Sequence, residues 1–216
     1  VVIGAFAGMA AVPVFTAVRT ATRMGVQFTN IVSLASMPNF TAASATGAEE
    51  RKAELVALSI AAALAVLLPA FAVLATLGPW LIGLWTVGVL VPTRALMAVM
   101  SLVMLLDGLW HAPANFLLSI NEHGRFSWFF LVASLAALAL AIPLVREWGP
   151  TGAALSLAVL HAAMLAWVFT QARRAGILEL QALRTAPARL VEAFRTRLLG
   201  QAAPGIPRST GDGGTP

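Results

Sequence analysis

The sequence predicts an all-α fold, a polytopic bundle of transmembrane helices. Hydrophobic residues make up 59% of the chain and charged residues only 11%, whereas charged residues make up about a quarter of a typical soluble domain. The apolar residues are gathered into runs of about 20, which is the length of an α-helix that crosses a bilayer. Each run is predicted to be a helix because, in lipid, a helix satisfies its own backbone hydrogen bonds.

About six such spans are predicted, and together they form one transmembrane lobe over residues 1–172. The approximate spans are 1–18, 25–45, 55–77, 92–118, 126–145 and 151–170. A basic amphipathic tail over 173–200 is predicted to form interfacial helices broken at Pro187, and the end at 201–216 is predicted to be disordered. Because the chain begins inside an apolar run with no initiator Met, we expect it to be a fragment of a longer protein.

The distribution of charge predicts the orientation of the chain in the membrane. The formal net charge is +5, and from position 173 onward seven arginines face only three acidic residues. Arginines that directly follow a span mark its cytoplasmic side, so we expect a cytoplasmic C-terminus. The basic tail is expected to contact anionic membrane lipids and not nucleic acid. Arginine outnumbers lysine 13 to 1 and alanine is abundant, a composition that fits a GC-rich bacterial genome.

Several kinds of chemistry are missing from the sequence. The chain has no cysteine, which excludes disulfides and thiolate metal sites. It also lacks a phosphate-cradling glycine loop, an HExxH motif, a nucleophile elbow and paired acids at catalytic spacing. We therefore expect a protein that is not an enzyme, with no catalytic residue, no metal ligand and no cofactor.

The predicted fourth span carries polar residues well inside its ends. Asp107, His111 and Asn115 recur at i, i+4 and i+8 and are predicted to share one helix face. A carboxyl group near the centre of a bilayer costs roughly 2.5–3.5 kcal/mol, so this face is expected to border a protein interior or a wet cavity. These residues are candidates for ion coupling, with Asp107 as a proton or cation site and His111 as its relay. The alternative is a polar contact between helices or with interfacial water.

A second polar pattern lies where the first two predicted spans meet. Thr16, Arg19, Arg23, Gln27 and Asn30 follow spacings of 3, 4, 4 and 3, which would form a polar ridge if one helix continued through them. The last four are candidate substrate-binding residues, because guanidinium groups pair with phosphate in a planar, bidentate way. The alternative is a plain loop whose arginines reach the outer headgroups.

Three further kinds of residue have simpler explanations. His161, within the sixth span, is predicted to form a hydrogen bond between helices. Arg94 is predicted to be an interfacial anchor at the outer end of the fourth span. Trp80, Trp85 and Trp148 are predicted to belong to the aromatic belt at the outer membrane surface.

The loops carry a resemblance to a known family. The motifs are MPNFTAASATGAEERKAE (37–54), LGPWLIGLWTVG (77–88), LLSINEHGR (117–125) and WGPTGAA (148–154). In these motifs the chain resembles the C-terminal half of bacterial polysaccharide flippases of the multidrug/oligosaccharidyl-lipid/polysaccharide exporter superfamily. The resemblance covers residues 38–152 and supplies no invariant catalytic residue to transfer to this chain.

The resemblance implies a fold and a function. The fold would have two lobes of about six helices around a central cavity that opens alternately to each side. This chain would be one lobe of an exporter that moves polyprenyl-linked oligosaccharide across the bacterial inner membrane for envelope or capsular polysaccharide biosynthesis. Its expected partners are membrane lipids, a missing N-terminal lobe or a second copy, and polysaccharide polymerase and glycosyltransferases. The alternatives are a cation-coupled small-molecule exporter of the same superfamily and a membrane-embedded transferase or assembly subunit.

Overall fold

The computed structural model describes residues 2–45, 49–119 and 123–198, and over these ranges the chain is helical with short connections. The helices are α1 (Val2–Phe6), α2 (Ala11–Ala45), α3 (Glu49–Trp85), α4 (Arg94–Ser119), α5 (His123–Trp148), α6 (Pro150–Arg174) and α7 (Leu180–Leu198). The described ranges contain no strand. The prediction of an all-α helical bundle is confirmed. The end predicted to be disordered, 201–216, lies outside the described residues.

Four of the described helices, α3 to α6, are long and apolar enough to cross a membrane. This is consistent with a membrane protein, although the sequence had predicted about six spans. The difference lies at the N-terminus, where predicted spans 1–18 and 25–45 correspond to α1 and α2. Helix α2 is not among the four, because polar residues recur along its length and lower its mean hydropathy.

The predicted break between the first two spans is wrong. Helix α2 continues from Ala11 to Ala45 without interruption. The segment 19–24 contains neither proline nor glycine, and its arginines, alanine and methionine are good helix formers. Thr22 also binds its own helix, since its hydroxyl donates to the carbonyl oxygens of Val18 and Arg19 at 3.1 Å each. The segment 19–24 therefore lowers the local hydropathy of α2 without interrupting its helical backbone.

Helix α3 is longer than predicted at both ends. Its predicted span was 55–77, followed by an outer loop, but the helix runs from Glu49 to Trp85 and contains Pro69 and Pro79. The connection to α4 turns through Val87 and Gly88, whose φ angles of 53° and 80° are left-handed.

Helix α4 begins with a side-chain cap. The backbone N–H of Leu96 donates to the hydroxyl oxygen of Thr93 at 3.2 Å. This is the hydrogen bond that an N-cap threonine makes with the third helical residue, and it satisfies one of the unpaired donors at a helix start. Thr93 therefore fixes the start of α4 at Arg94, two residues after the predicted boundary at 92.

Helix α4 is the centre of the bundle, because it packs against α2, α3 and α6. Two of these contacts depend on glycine. A Cβ at Gly108 would lie 2.4 Å from Cδ1 of the fully buried Leu67 on α3. A Cβ at Gly25 on α2 would lie 2.4 Å from Sδ of the buried Met104. Small residues let transmembrane helices approach closely in this way.

Helices α5 and α6 form a tight hairpin. The turn passes through Gly149 with φ 56°. A Cβ at Gly152, in the first turn of α6, would lie 1.9 Å from the carbonyl oxygen of Leu144 and 2.8 Å from the backbone nitrogen of Val145. The two backbones are therefore nearly in contact, and only glycine fits at position 152.

The tail helix α7 packs on α3. The predicted break at Pro187 is wrong, since a single helix runs from Leu180 to Leu198 with Pro187 inside it. Proline removes one intrahelical hydrogen bond, but Ala186 beside it is buried and Arg189 pairs with Glu54 on α3. Contacts with α3 thus hold the helix through the proline. Its location in the membrane interface stays a prediction.

Candidate functional site: a polar cavity between α2, α4 and α6

A cavity of about 370 Å³ lies between α2, α4 and α6, and Phe130 of α5 also lines it. Its polar lining from α2 consists of Arg19, Thr22, Arg23, Gln27 and Asn30. Its polar lining from α4 and α6 consists of Asp107, Trp110, His111 and His161. The structure therefore brings together, in one space, the two polar patterns that the sequence placed on separate spans. We call this space the polar cavity.

The wall formed by α2 is the predicted polar ridge. Arg19, Arg23 and Gln27 are exposed and Asn30 is half-buried, and all four line the polar cavity. Thr16 lies outside it and lines a neighbouring cavity that it shares with Arg19. Within the part of the chain that the structure describes, neither arginine has an ion pair. The ridge exists because α2 is continuous, while its role as a substrate site stays a prediction.

On α4, His111 binds the backbone of Asp107. The distance from His111 Nδ1 to the Asp107 carbonyl oxygen is 2.6 Å. Since a carbonyl oxygen only accepts, the Nδ1 atom of His111 must carry the hydrogen. The same Nδ1 atom is 3.5 Å from Oδ1 of the Asp107 carboxylate, at the outer limit of a hydrogen bond. His111 therefore lies beside Asp107 as predicted, but its closest bond is to the main chain.

Asn115 does not line the polar cavity. The prediction grouped it with Asp107 and His111, but of the three only those two line the cavity. Asn115 lies eight residues, or about 12 Å of helix rise, beyond Asp107 and is half-buried. Its part in ion coupling stays a prediction.

The closest side-chain partner of Asp107 comes from α6. Its Oδ1 atom is 3.2 Å from Nδ1 of His161, and both side chains are mostly buried, with 21% and 14% of their surfaces exposed. The indole Nε1 of Trp110 lies 3.3 Å from the same Nδ1 atom. The prediction that His161 forms a hydrogen bond between helices is confirmed. Sequence reasoning did not find it as a partner of Asp107, because nothing in the spacing shows that α4 and α6 cross at this point.

Trp110 is a second residue that sequence reasoning missed. It is 7% exposed, and its ring stacks on that of His111 with centroids 4.2 Å apart and planes at 22°. It also stacks on His161 at 6.3 Å. A signal was present, since Asp107, Trp110 and His111 follow i, i+3, i+4 spacing and must share a face.

The ionisable groups that line the polar cavity are two guanidinium groups, one carboxylate and two imidazoles. Unpaired guanidinium groups bind phosphate or carboxylate oxygens through charge-assisted hydrogen bonds. A carboxylate within reach of two imidazoles can exchange a proton with them. Among the described residues, no cluster of three or more His, Cys, Asp or Glu could hold a metal ion. The arrangement is thus suited to binding an anion beside a proton-exchanging group.

The remaining predicted residues lie away from the polar cavity. Arg94 is exposed at the start of α4. Trp80, Trp85 and Trp148 are all exposed at or near the ends of their helices, where an interfacial belt would place them. Their membrane roles stay predictions.

The chain matches no known protein family, and no curated protein or solved structure is similar enough to it to count as a relative. The resemblance to polysaccharide flippases therefore depends on the loop motifs alone.

Proposed function

We propose that this chain is one lobe of a membrane transporter whose polar cavity binds the phosphate or pyrophosphate group of a lipid-linked oligosaccharide. The observation that carries the proposal is the pair Arg19 and Arg23, which line the cavity without an ion pair among the described residues. They do so in a bundle with four helices apolar enough to span a membrane. An ionisable group inside a membrane span is costly and commonly marks a substrate or ion pathway, and Asp107, on the candidate span α4, lines the same cavity as the arginines.

The sign of the charge favours an anionic ligand. Arg19 and Arg23 contribute two positive charges, against the single carboxylate of Asp107. A cation at the Asp107 carboxylate would also meet the positive potential of both arginines, which disfavours the cation-exporter alternative. An anion at the arginines gains planar, bidentate hydrogen bonds. Gln27 and Asn30 extend the same wall with amide groups that can bind hydroxyls or phosphate oxygens.

The size of the cavity limits what it can hold. At about 370 Å³ it is at the small end of the range of roughly 300–1,000 Å³ for ligand pockets. A pyrophosphate with an adjoining sugar fits such a volume, but a whole oligosaccharide does not. The proposal therefore implies a second lobe or a second copy of the chain that completes the pathway, in a bacterial inner membrane with polysaccharide polymerase and glycosyltransferases as functional partners.

Binding of a polyprenyl pyrophosphate to the full chain in lipid nanodiscs tests the proposal. Removing one arginine with Arg19→Gln or Arg23→Gln deletes a charged hydrogen bond worth about 1.5–3 kcal/mol. The dissociation constant should then rise roughly 10- to 100-fold for each variant. Arg94→Gln is the matched control, because Arg94 lies outside the polar cavity, and it should bind like the wild type.

Equal binding by the wild type and both cavity variants would contradict the proposal. Binding of a lipophilic cation that is lost in Asp107→Asn but kept in Arg19→Gln would favour the cation exporter instead. In cells, deletion of the gene should leave lipid-linked oligosaccharide on the inner leaflet of the membrane. Normal appearance of the oligosaccharide on the outer leaflet would contradict a flippase.

A further inference from the structure

An apolar groove lies between the tail helix α7 and three of the candidate membrane spans. Its volume is about 840 Å³, and every residue that lines it is apolar. Helices α3, α4 and α6 supply Leu64, Leu109 and Phe169 among others, and α7 supplies Leu183 and Val191. No described residue lines both this groove and the polar cavity. We call it the tail groove, and it is a separate candidate binding site.

The tail groove is open because α7 packs on α3 along one edge and leaves its other edge uncovered. At the packed edge, Ala186 is buried and Arg189 pairs with Glu54 of α3. At the groove, Val191 of α7 is 66% exposed and Leu68 of α3 is 49% exposed. Both walls therefore present uncovered apolar side chains, and an occupant can enter without displacing a helix.

Two arginines of α7 border the tail groove. At 100° per residue, Arg184 and Arg195 lie only about 20° and 40° around the helix from Val191, which lines the groove. Both arginines are exposed, and neither has an ion pair within the ranges that the structure describes. Glu192 and the already paired Arg189 lie about 100° and 160° from Val191, away from the groove. Positive charge without a partner is thus placed on the groove side of the helix.

We propose that the tail groove binds an acyl chain of an anionic phospholipid, and that Arg184 and Arg195 attract its phosphate. Such a lipid matches both features of the site, because its chain is apolar and its headgroup carries a net negative charge. The chain can enter from the bilayer, since α3, α4 and α6 are all long and apolar enough to span a membrane. Basic amphipathic helices at a membrane surface attract anionic lipids. The tail groove would restrict this attraction to one place on the protein.

Other occupants match the tail groove less well. A helix of a second protein is about 10 Å across, so about two turns of it would fill the volume of 840 Å³. An apolar helix would also leave the two arginines without a counter-charge. A zwitterionic phospholipid supplies the chain but no net charge. The opposite edge of α7 repels an anion, because Glu50, Glu54 and Glu179 line the polar cleft there.

Photo-crosslinking with the lipid itself tests the proposal. The full chain is placed in phosphatidylcholine nanodiscs with a small fraction of phosphatidylglycerol that carries a diazirine in its acyl chain. After irradiation and tryptic digestion, mass spectrometry locates the adducts. Trypsin divides this region into the peptides 175–184, 185–189 and 190–195, which together hold every groove residue of α7. On these peptides, phosphatidylglycerol should give about 5-fold or more adduct than phosphatidylcholine with the same diazirine chain.

Arginine variants test the contribution of charge. Arg184→Gln and Arg195→Gln should each lower the phosphatidylglycerol adducts on α7 about 5-fold. Neither should change the phosphatidylcholine adducts. Arg94→Gln is the matched control, because Arg94 is exposed at the start of α4 and lies outside the tail groove, and it should match the wild type.

Variants that fill the tail groove test the position of the chain. Ala61→Phe places a ring in the groove from α3 and should abolish the α7 adducts of both lipids. Ala65→Phe fills the same wall from an exposed position and replaces Ala61→Phe if that variant does not fold. Val66→Phe is the control, because Val66 is exposed on α3 but does not line the groove.

Three results would overturn the proposal. They are equal α7 adducts from the two lipids, undiminished adducts when both Arg184 and Arg195 are replaced, and undiminished adducts in the filling variants. A second copy of the chain as the occupant would be shown by Val191→Cys, since the chain has no other cysteine. A disulfide between two copies that excludes the probe would also overturn the proposal. None of these results bears on the polar cavity, so this inference and the proposed function can fail independently.

Discussion

Replacing Gly152 with alanine should separate α5 from α6. The new Cβ would lie 1.9 Å from the carbonyl oxygen and 2.3 Å from the carbonyl carbon of Leu144. A carbon–oxygen contact needs about 3.3 Å, so the hairpin has to open by roughly 1.4 Å. The obstacle is backbone and not a side chain, and no rotamer change relieves it.

The magnitude follows from the packing that this opening disrupts. Overpacking a well-packed core costs about 1–3 kcal/mol, and a backbone obstacle belongs at the upper end of that range. Val145 and Ala154, both almost fully buried beside the turn, lose part of their dispersion contacts when a gap of this size opens. The higher helix propensity of alanine offsets at most about 1 kcal/mol of this destabilisation. The expected net loss is therefore about 2 kcal/mol of unfolding free energy for Gly152→Ala.

Gly83→Ala is the matched control. Gly83 is also helical, in α3, but an added Cβ there meets nothing within 4 Å. This variant should be stabilised by up to about 1 kcal/mol. The assay is reversible unfolding of the full chain in mixed micelles, followed by circular dichroism. Since the chain has no cysteine, cysteine pairs for spin labels on α5 and α6 can report their separation. If Gly152→Ala were as stable as Gly83→Ala with an unchanged α5–α6 distance, the close approach of the two backbones would be refuted.

Two smaller effects should be measurable by the same unfolding assay. Thr93→Ala removes the side-chain cap of α4 and should lower the unfolding free energy by about 0.5–2 kcal/mol. Thr93→Ser keeps the hydroxyl and should be about as stable as the wild type. If both variants lost the same stability, the cap would not contribute. Arg189→Ala breaks the exposed pair with Glu54 and should cost no more than about 1 kcal/mol, and the loss should shrink as salt is added. A loss of stability that salt does not change would mean that Arg189 acts through packing and not through charge. Arg184→Ala is the control, because it removes another exposed arginine of the same helix.

The sequence predicted well those features that depend on residues close together in the chain. Apolar runs predicted the helical bundle, and spacing alone predicted the ridge of Arg19, Arg23, Gln27 and Asn30 on one face of α2. It was a poor guide to the continuity of α2 through residues 19–24, because hydropathy falls at charged residues whether or not the backbone changes direction. Of the three residues grouped on α4, Asp107 and His111 line the polar cavity and Asn115, one turn further along the helix, does not.

The pairing of the two walls could not have been predicted from spacing. His161 reaches Asp107 only because α4 and α6 cross at that height, and the ridge faces Asp107 only because α2 packs along α4. Such relations depend on which helices pack together, and apolar helices offer few sequence features that select one partner over another. The glycines that permit these crossings are visible in the sequence, but their partners are not.

Gly25 shows what this means for the polar cavity. It lies on α2 between Arg23 and Gln27, and α2 can approach the buried Met104 of α4 because position 25 carries no Cβ. The close approach of α2 to α4 beside the cavity is thus permitted by a residue that has no charge and no polar side chain. A larger residue at this position would have to displace the Met104 side chain, which itself lines the cavity, while leaving every charged group in place. The shape of the cavity is in this sense under steric control, and a search for residues that tune it should include the glycines as well as the arginines.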